Sequence, residues 1–120
     1  MGNGKNNYIG ANQGKRAELD FYPTPIYATA ELLKKEKFKG SIWECACGNG
    51  AMSNVLKEHG YSVYSSDITD RGYGENRNLD FLSGTNIKAD NIITNPPFKL
   101  AKEFVEKALT IAKYKVAIIQ

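Results

Sequence analysis

Apolar residues recur along this chain with two periods. After Phe21-Tyr22-Pro23-Thr24-Pro25, the positions Ile26, Ala30 and Leu33 keep helical spacing until Gly40 stops the pattern. Thr24 suits the cap of that helix and Pro25 its first residue. Ser41 to Ala46 predicts a strand that runs into the turn Gly48-Asn49-Gly50. Ala51 to His59 then predicts a helix with Met52, Val55, Leu56 and His59 on one face, closed by Gly60. Tyr61 to Ser66 is the next strand, stopping at Asp67; Arg71-Gly72-Tyr73-Gly74 must be a loop, and a short third strand is expected near Asn78 to Phe81. Asn91 to Thr94 has the apolar pair of a buried strand. Lys99 to Lys113 predicts an amphipathic helix with Leu100, Phe104, Ala108 and Ile111 inward and Glu103 paired with Lys107 outside. Val116 to Ile119 is the last strand.

Strands that alternate with helices require right-handed crossovers, and these give a parallel sheet covered on both faces. The fold class is therefore α/β, doubly wound. The domain runs from 20 to 120. Residues 1–19 form an arm rich in Gly and Asn that carries Lys5, Lys15 and Arg16 without a hydrophobic period. Such an arm is expected to be flexible, and its charge leaves open both contact with a phosphate backbone and no special role.

Composition narrows the chemistry. With 120 residues, 42% hydrophobic and 24% charged, the chain is an ordinary globular domain. It has neither an apolar run long enough for a bilayer nor the apolar core of a signal peptide, so the cytoplasm is the expected location and no membrane partner is expected. Cys45 and Cys47 are one residue apart, too close for a comfortable disulfide and without the companions of a zinc site, and both read as reduced packing residues. His59 is the only histidine, which leaves little material for a His-based metal site or a Ser-His triad; it reads as a helix-end residue. The formal charge of +3 is compatible with a polyanion and does not require one.

Two motifs carry the remaining information. Ligands of doubly wound sheets bind beyond the carboxyl ends of the strands, where Gly48-Asn49-Gly50 falls, and Asp67 follows at the end of the next strand, about 20 residues on, a separation suited to gripping ribose hydroxyls. Met52 and Ser53 occupy the places where a dinucleotide fingerprint needs its third glycine, which disfavours a pyrophosphate ligand. The second motif, Asn95-Pro96-Pro97-Phe98, follows the apolar strand. The Asn95 side-chain carbonyl and the Pro96 main-chain carbonyl are hydrogen-bond acceptors on a backbone stiffened by two prolines. Acceptors of this kind draw the delocalised lone pair of an exocyclic amine out of its ring, and Phe98 offers a flat face for that ring. Alone, the tetrapeptide is also the way a polar-Pro-Pro-aromatic turn ends a strand.

Glu44-x-x-x-Gly48-x-Gly50, Asp67 and Asn95-Pro96-Pro97-Phe98, in that order on alternating strands and helices, resemble class I S-adenosylmethionine-dependent methyltransferases, above all the adenine-N6 DNA group. The likeness spans about Asp20 to Gln120. It is also similar to small methyltransferase-like proteins of phages and prophages, which carry segments like Asp70 to Gly74 and Asp80 to Leu82 between these motifs. The resemblance implies a Rossmann-like doubly wound sheet of the class I methyltransferase type, here without the C-terminal strands. It implies S-adenosyl-L-methionine as cofactor. Its amino-acid part would be held by Glu44 and the turn containing Ala46, Cys47, Gly48, Asn49 and Gly50; its ribose by Asp67; and its adenine by Ile68, with Asp80 and Phe81 at the border. The segment containing Tyr22, Thr24 and Pro25 resembles one that contacts the methionine end of the cofactor, and Asn95 would border the cofactor as well as the substrate. Asn95, Pro96, Pro97 and Phe98 would form the catalytic loop. No metal is implied.

Several acceptors share this chemistry. DNA adenine N6 is the expected one; guanine N2 in ribosomal RNA and the glutamine amide of translation factors are alternatives, though enzymes for these generally carry a sizeable substrate domain ahead of the core. Ending at Gln120 on the apolar run Val116-Ala117-Ile118-Ile119 would leave a sheet edge uncovered. Three expectations follow: a fragment of a longer methyltransferase, an edge paired with another subunit, or a chain that binds the cofactor without transferring its methyl.

Overall fold

Neighbouring residues on the central strands point into two different apolar layers, and this alternation sets the architecture. The computed structural model describes residues 23–84 and 86–120; the arm 1–19 and Tyr22 lie outside them. The elements are α1 (Ile26–Lys35), β1 (Ile42–Glu44), α2 (Ala51–Glu58), β2 (Val63–Ser65), β3 (Ala89–Thr94), a 3-10 turn (Phe98–Leu100), α3 (Ala101–Ile111) and β4 (Ala112–Ile118). All strands pair in parallel in the order β2-β1-β3-β4. Ile42 stands opposite Val63 on one side and Asn91 on the other, while Thr94 pairs with Ile118.

Trp43 and Ile92 face one layer, closed by Phe104, Ala108 and Ile111 of α3 and by Phe81. Ile42 and Ile93 face the other, closed by Met52 and Leu56 of α2, by Phe38, and by Leu32 and Leu33 of α1. The sheet is thus covered on both faces, as a doubly wound fold requires. The faces expected of α2 and α3 are the buried ones, except that His59 lies exposed at the end of α2, its Nδ1 2.8 Å from the Val55 carbonyl oxygen.

Four local expectations are corrected. No strand forms over Asn78 to Phe81. A single bridge between Ser66 and Asn76 forms just ahead of that segment. Side chains there take up the backbone donors a strand would use: Asn76 Oδ1 accepts from Asn78 N at 3.1 Å, and Asp80 Oδ1 from Leu82 N at 3.0 Å. Thr24 does not cap α1, because Pro25 is itself the extended cap residue and the Thr24 hydroxyl turns inward. β4 begins at Ala112, directly after α3, since no glycine or proline separates them. Glu103 and Lys107 are not among the ion pairs of the described residues, which are Glu31 with Lys34, Asp70 with Arg77, and Glu36 with Lys115.

Candidate active site

Because β1, β2 and β3 are adjacent and parallel, the segments that follow them emerge together at one edge of the sheet. After β1 the chain turns through Gly48 and Gly50, both with positive φ, and enters α2. A Cβ at Gly50 would collide with the ring of Tyr73, so the glycine is needed both for its φ of +90° and for the close approach of the loop after β2. Tyr73 is fixed in turn by its hydroxyl, which donates to Asn54 Oδ1 at 2.9 Å and accepts from Lys57 Nζ at 3.0 Å. That bond also raises the Lys57 pKa.

Asp67 ties the two turns together. It is buried; Oδ2 accepts from Gly48 N at 2.8 Å and Oδ1 from Thr69 N at 2.9 Å. Two charge-assisted bonds from backbone donors hold the carboxylate in one orientation at the mouth of the turn. Glu44 is more deeply placed, 1% exposed, and its Oε2 accepts from Thr94 Oγ1 at 2.7 Å and from Ala46 N at 3.0 Å. Burial pushes its pKa up to about 8 against the pull of those two bonds, and the Asp67 charge adds to the rise. Burial likewise raises the Cys47 thiol to about 12 and the Cys45 thiol well above its ordinary value, so both favour the thiol over the thiolate, and the two are not joined in a disulfide.

These segments enclose a cleft of about 790 Å³ counting its open mouth. Of the residues expected to hold a cofactor, Ala46, Cys47, Gly48 and Asn49 line it after β1, and Thr24 lines it from ahead of α1. Asp67, Ile68, Asp80 and Phe81 line it on the β2 side. Asn95 and Pro97 close it from β3. Pro25, Glu44, Gly50, Pro96 and Phe98 are not lining residues. Glu44 and Gly50 shape the turn from behind, Pro96 is buried, and Phe98 is 76% exposed on the outside. Asn95 Nδ2 donates to Thr24 Oγ1 at 3.2 Å, and the Pro96 carbonyl accepts from Gln120 Nε2 at 3.1 Å.

The sequence did not point to Met52, Leu79, Leu100 or Phe104 as cleft residues, nor to Arg71. Met52, Leu100 and Phe104 were legible only as core positions, and Leu79 was not singled out. Phe81 shows why the two roles merge: it stacks on Phe104 with ring centres 5.0 Å apart and meets Trp43 edge-on at 5.1 Å while one face borders the cleft.

The parallel sheet in the order β2-β1-β3-β4, covered by helices on both faces, is a Rossmann-like doubly wound fold of the class I methyltransferase type. Among solved structures the chain is similar to magnesium protoporphyrin IX methyltransferase (ChlM) from Synechocystis PCC 6803 with bound SAM, at 21% identity and a TM-score of 0.52. The match covers 92% of this chain and 62% of that one, so the chain spans about three-fifths of the length of that structure. No family model and no curated protein matches the chain. Among the described residues no helix is long and apolar enough to cross a membrane.

Proposed function

We propose that this chain is the core of an S-adenosylmethionine-dependent methyltransferase acting on an exocyclic nitrogen, with N6 of adenine in DNA as the preferred acceptor. The observation that carries the proposal is a shared wall: Asn95 and Pro97 line the same cleft as Gly48, Asn49 and Asp67. A nucleoside-binding turn and an acceptor-bearing loop thus meet in one space.

The residues present fit the cofactor. Gly48 has no side chain at the turn, Asp67 retains free lone pairs beyond its two backbone bonds, and Ile68, Leu79 and Phe81 give apolar surface for a flat ring. S-adenosylmethionine, when bound, supplies an electrophilic methyl group on a sulfonium centre. Asn95 Oδ1 and the Pro96 carbonyl accept the hydrogens of the target amine, hold it in line and localise its lone pair. Phe98 stacks on a base that has left its duplex, an extrusion costing a few kcal/mol. The exposed position of Phe98 suits contact with a ligand that arrives from outside.

A protein carboxamide is the second acceptor, favoured by one contact. The group that donates to the Pro96 carbonyl is the side-chain amide of Gln120, a planar NH2. The test is incubation with methyl-labelled S-adenosylmethionine and, separately, unmethylated DNA, ribosomal RNA and a protein extract, with Asn95→Ala as control. Label at adenine N6 that disappears in the variant supports the proposal. Label in RNA or protein alone replaces the acceptor. Cofactor binding with no label anywhere identifies a non-catalytic binder.

A further inference from the structure

An asparagine amide can receive a target amine only through its oxygen. Half a turn about its last side-chain bond would present NH2 instead, a donor facing a donor. Nothing within Asn95-Pro96-Pro97 selects between these orientations. The contact that engages the amide comes from a residue 71 positions away in sequence: Thr24, 9% exposed, whose Oγ1 accepts from Asn95 Nδ2 at 3.2 Å. With the NH2 end engaged by Thr24, the carbonyl end of Asn95 is directed away from that hydroxyl.

We propose that Thr24 is a positioning residue that holds the Asn95 side chain by its NH2 end and so leaves its oxygen for the target amine. The inference rests on the acceptor role given to Asn95 above. The local sequence is suited to the task. Thr24 lies between Pro23 and Pro25; the following proline holds it in extended backbone, and Pro25 itself is extended at φ −60° and ψ 140° before α1 begins. A hydroxyl on a backbone this restricted loses little freedom in holding one direction.

The role differs from contact with the cofactor and predicts a different kinetic signature. Thr24→Val keeps the shape and removes the acceptor. It should lower kcat about tenfold, the order of effect of one buried hydrogen bond, with S-adenosylmethionine affinity unchanged. Thr24→Ser, which restores the hydroxyl, should recover most of kcat. In the Asn95→Ala background Thr24→Val should cost nothing more, since the group it orients is gone. Independently of turnover, the Asn95 side-chain NH2 resonances, assigned by their loss in Asn95→Ala, should shift and exchange faster with water in Thr24→Val.

Three results overturn the inference: wild-type kcat in Thr24→Val, a loss expressed in cofactor affinity with kcat intact, or Asn95 amide resonances indifferent to the substitution. Should Asn95→Ala abolish transfer while Thr24→Val matches wild type, the methyl-transfer proposal stands and the positioning role alone is gone. If the wild-type chain labels none of the acceptors, the proposal on which the role rests has failed and the role fails with it.

Discussion

The hydroxyl of Thr94 donates to the carboxyl of Glu44 at 2.7 Å, joining the ends of β1 and β3 inside the sheet. The same carboxyl oxygen receives Ala46 N, so one buried acid connects the glycine turn to the strand that carries Asn95.

That acid makes stability depend on pH. Its pKa lies at about 8 in the folded chain against the ordinary 4.5 of a glutamate carboxyl, so between those limits the folded state keeps a proton that the unfolded state has released. Stability is therefore highest, with respect to this group, below about pH 4.5 and falls as pH rises toward 8, by on the order of 5 kcal/mol in full. Urea unfolding at pH 5 and pH 8.5 measures the difference. Glu44→Gln retains an oxygen for Thr94 and Ala46 and should flatten it; an unchanged slope in the variant would show that Glu44 is ionised throughout.

Asp67→Asn leaves one oxygen where two are used. Either Gly48 N or Thr69 N then faces an NH2 group, at a cost of about 1–3 kcal/mol in stability. Calorimetric titration should show S-adenosylmethionine binding weakened about tenfold or more, because the carboxylate also loses its charge toward the ribose. Wild-type affinity in this variant would remove Asp67 from the cofactor site.

Gly50→Ala meets two obstacles, a left-handed backbone and the Tyr73 ring. The backbone term alone costs about 1–2 kcal/mol, enough to lower Tm by several degrees. Adding Tyr73→Ala should return the steric part of the loss and leave the backbone part. If the double variant melts lower than Gly50→Ala by the full effect of Tyr73→Ala alone, the two residues do not share the contact described.

Gln120 occupies the Pro96 carbonyl, the acceptor that the proposed function assigns to the target amine. Gln120→Ala frees the Pro96 carbonyl and should lower KM for the methyl acceptor about two- to fivefold with kcat preserved, the scale of one partly exposed hydrogen bond. Steady-state assays across acceptor concentration decide this, and a raised KM would assign Gln120 to substrate binding.

Much of this was legible because periodicity reports burial. Met52, Val55 and Leu56 on α2, and Phe104, Ala108 and Ile111 on α3, announce their inward faces, and Gly48, Gly50 and Asp67 announce a turn and a strand end. The strand expected near Asn78 to Phe81 is absent although Leu79 and Phe81 alternate with polar residues. Their neighbours Asn76 and Asp80 instead capture backbone donors, an outcome decided by side-chain direction, which spacing does not encode. Glu44 was placed at the right strand end, yet whether its carboxyl turns to the cleft or to Thr94 depends on a partner 50 residues away. The inward turn of the Thr24 hydroxyl has the same cause. Contacts between distant segments fix the orientation of polar groups; local pattern fixes only where they stand.

The crossover from β3 through α3 to β4 is fastened to itself where it starts and where it ends. Ile119 N donates to the Thr94 carbonyl at 3.0 Å and Gln120 Nε2 to the Pro96 carbonyl at 3.1 Å, while α3 passes into β4 without an intervening loop. The stretch from Asn95 to Gln120 is in effect a noose drawn tight at the neck, and it should behave as one cooperative unit in hydrogen exchange. Its amides would exchange together by release of the neck, so the acceptor loop inherits the rigidity of a whole helix and strand.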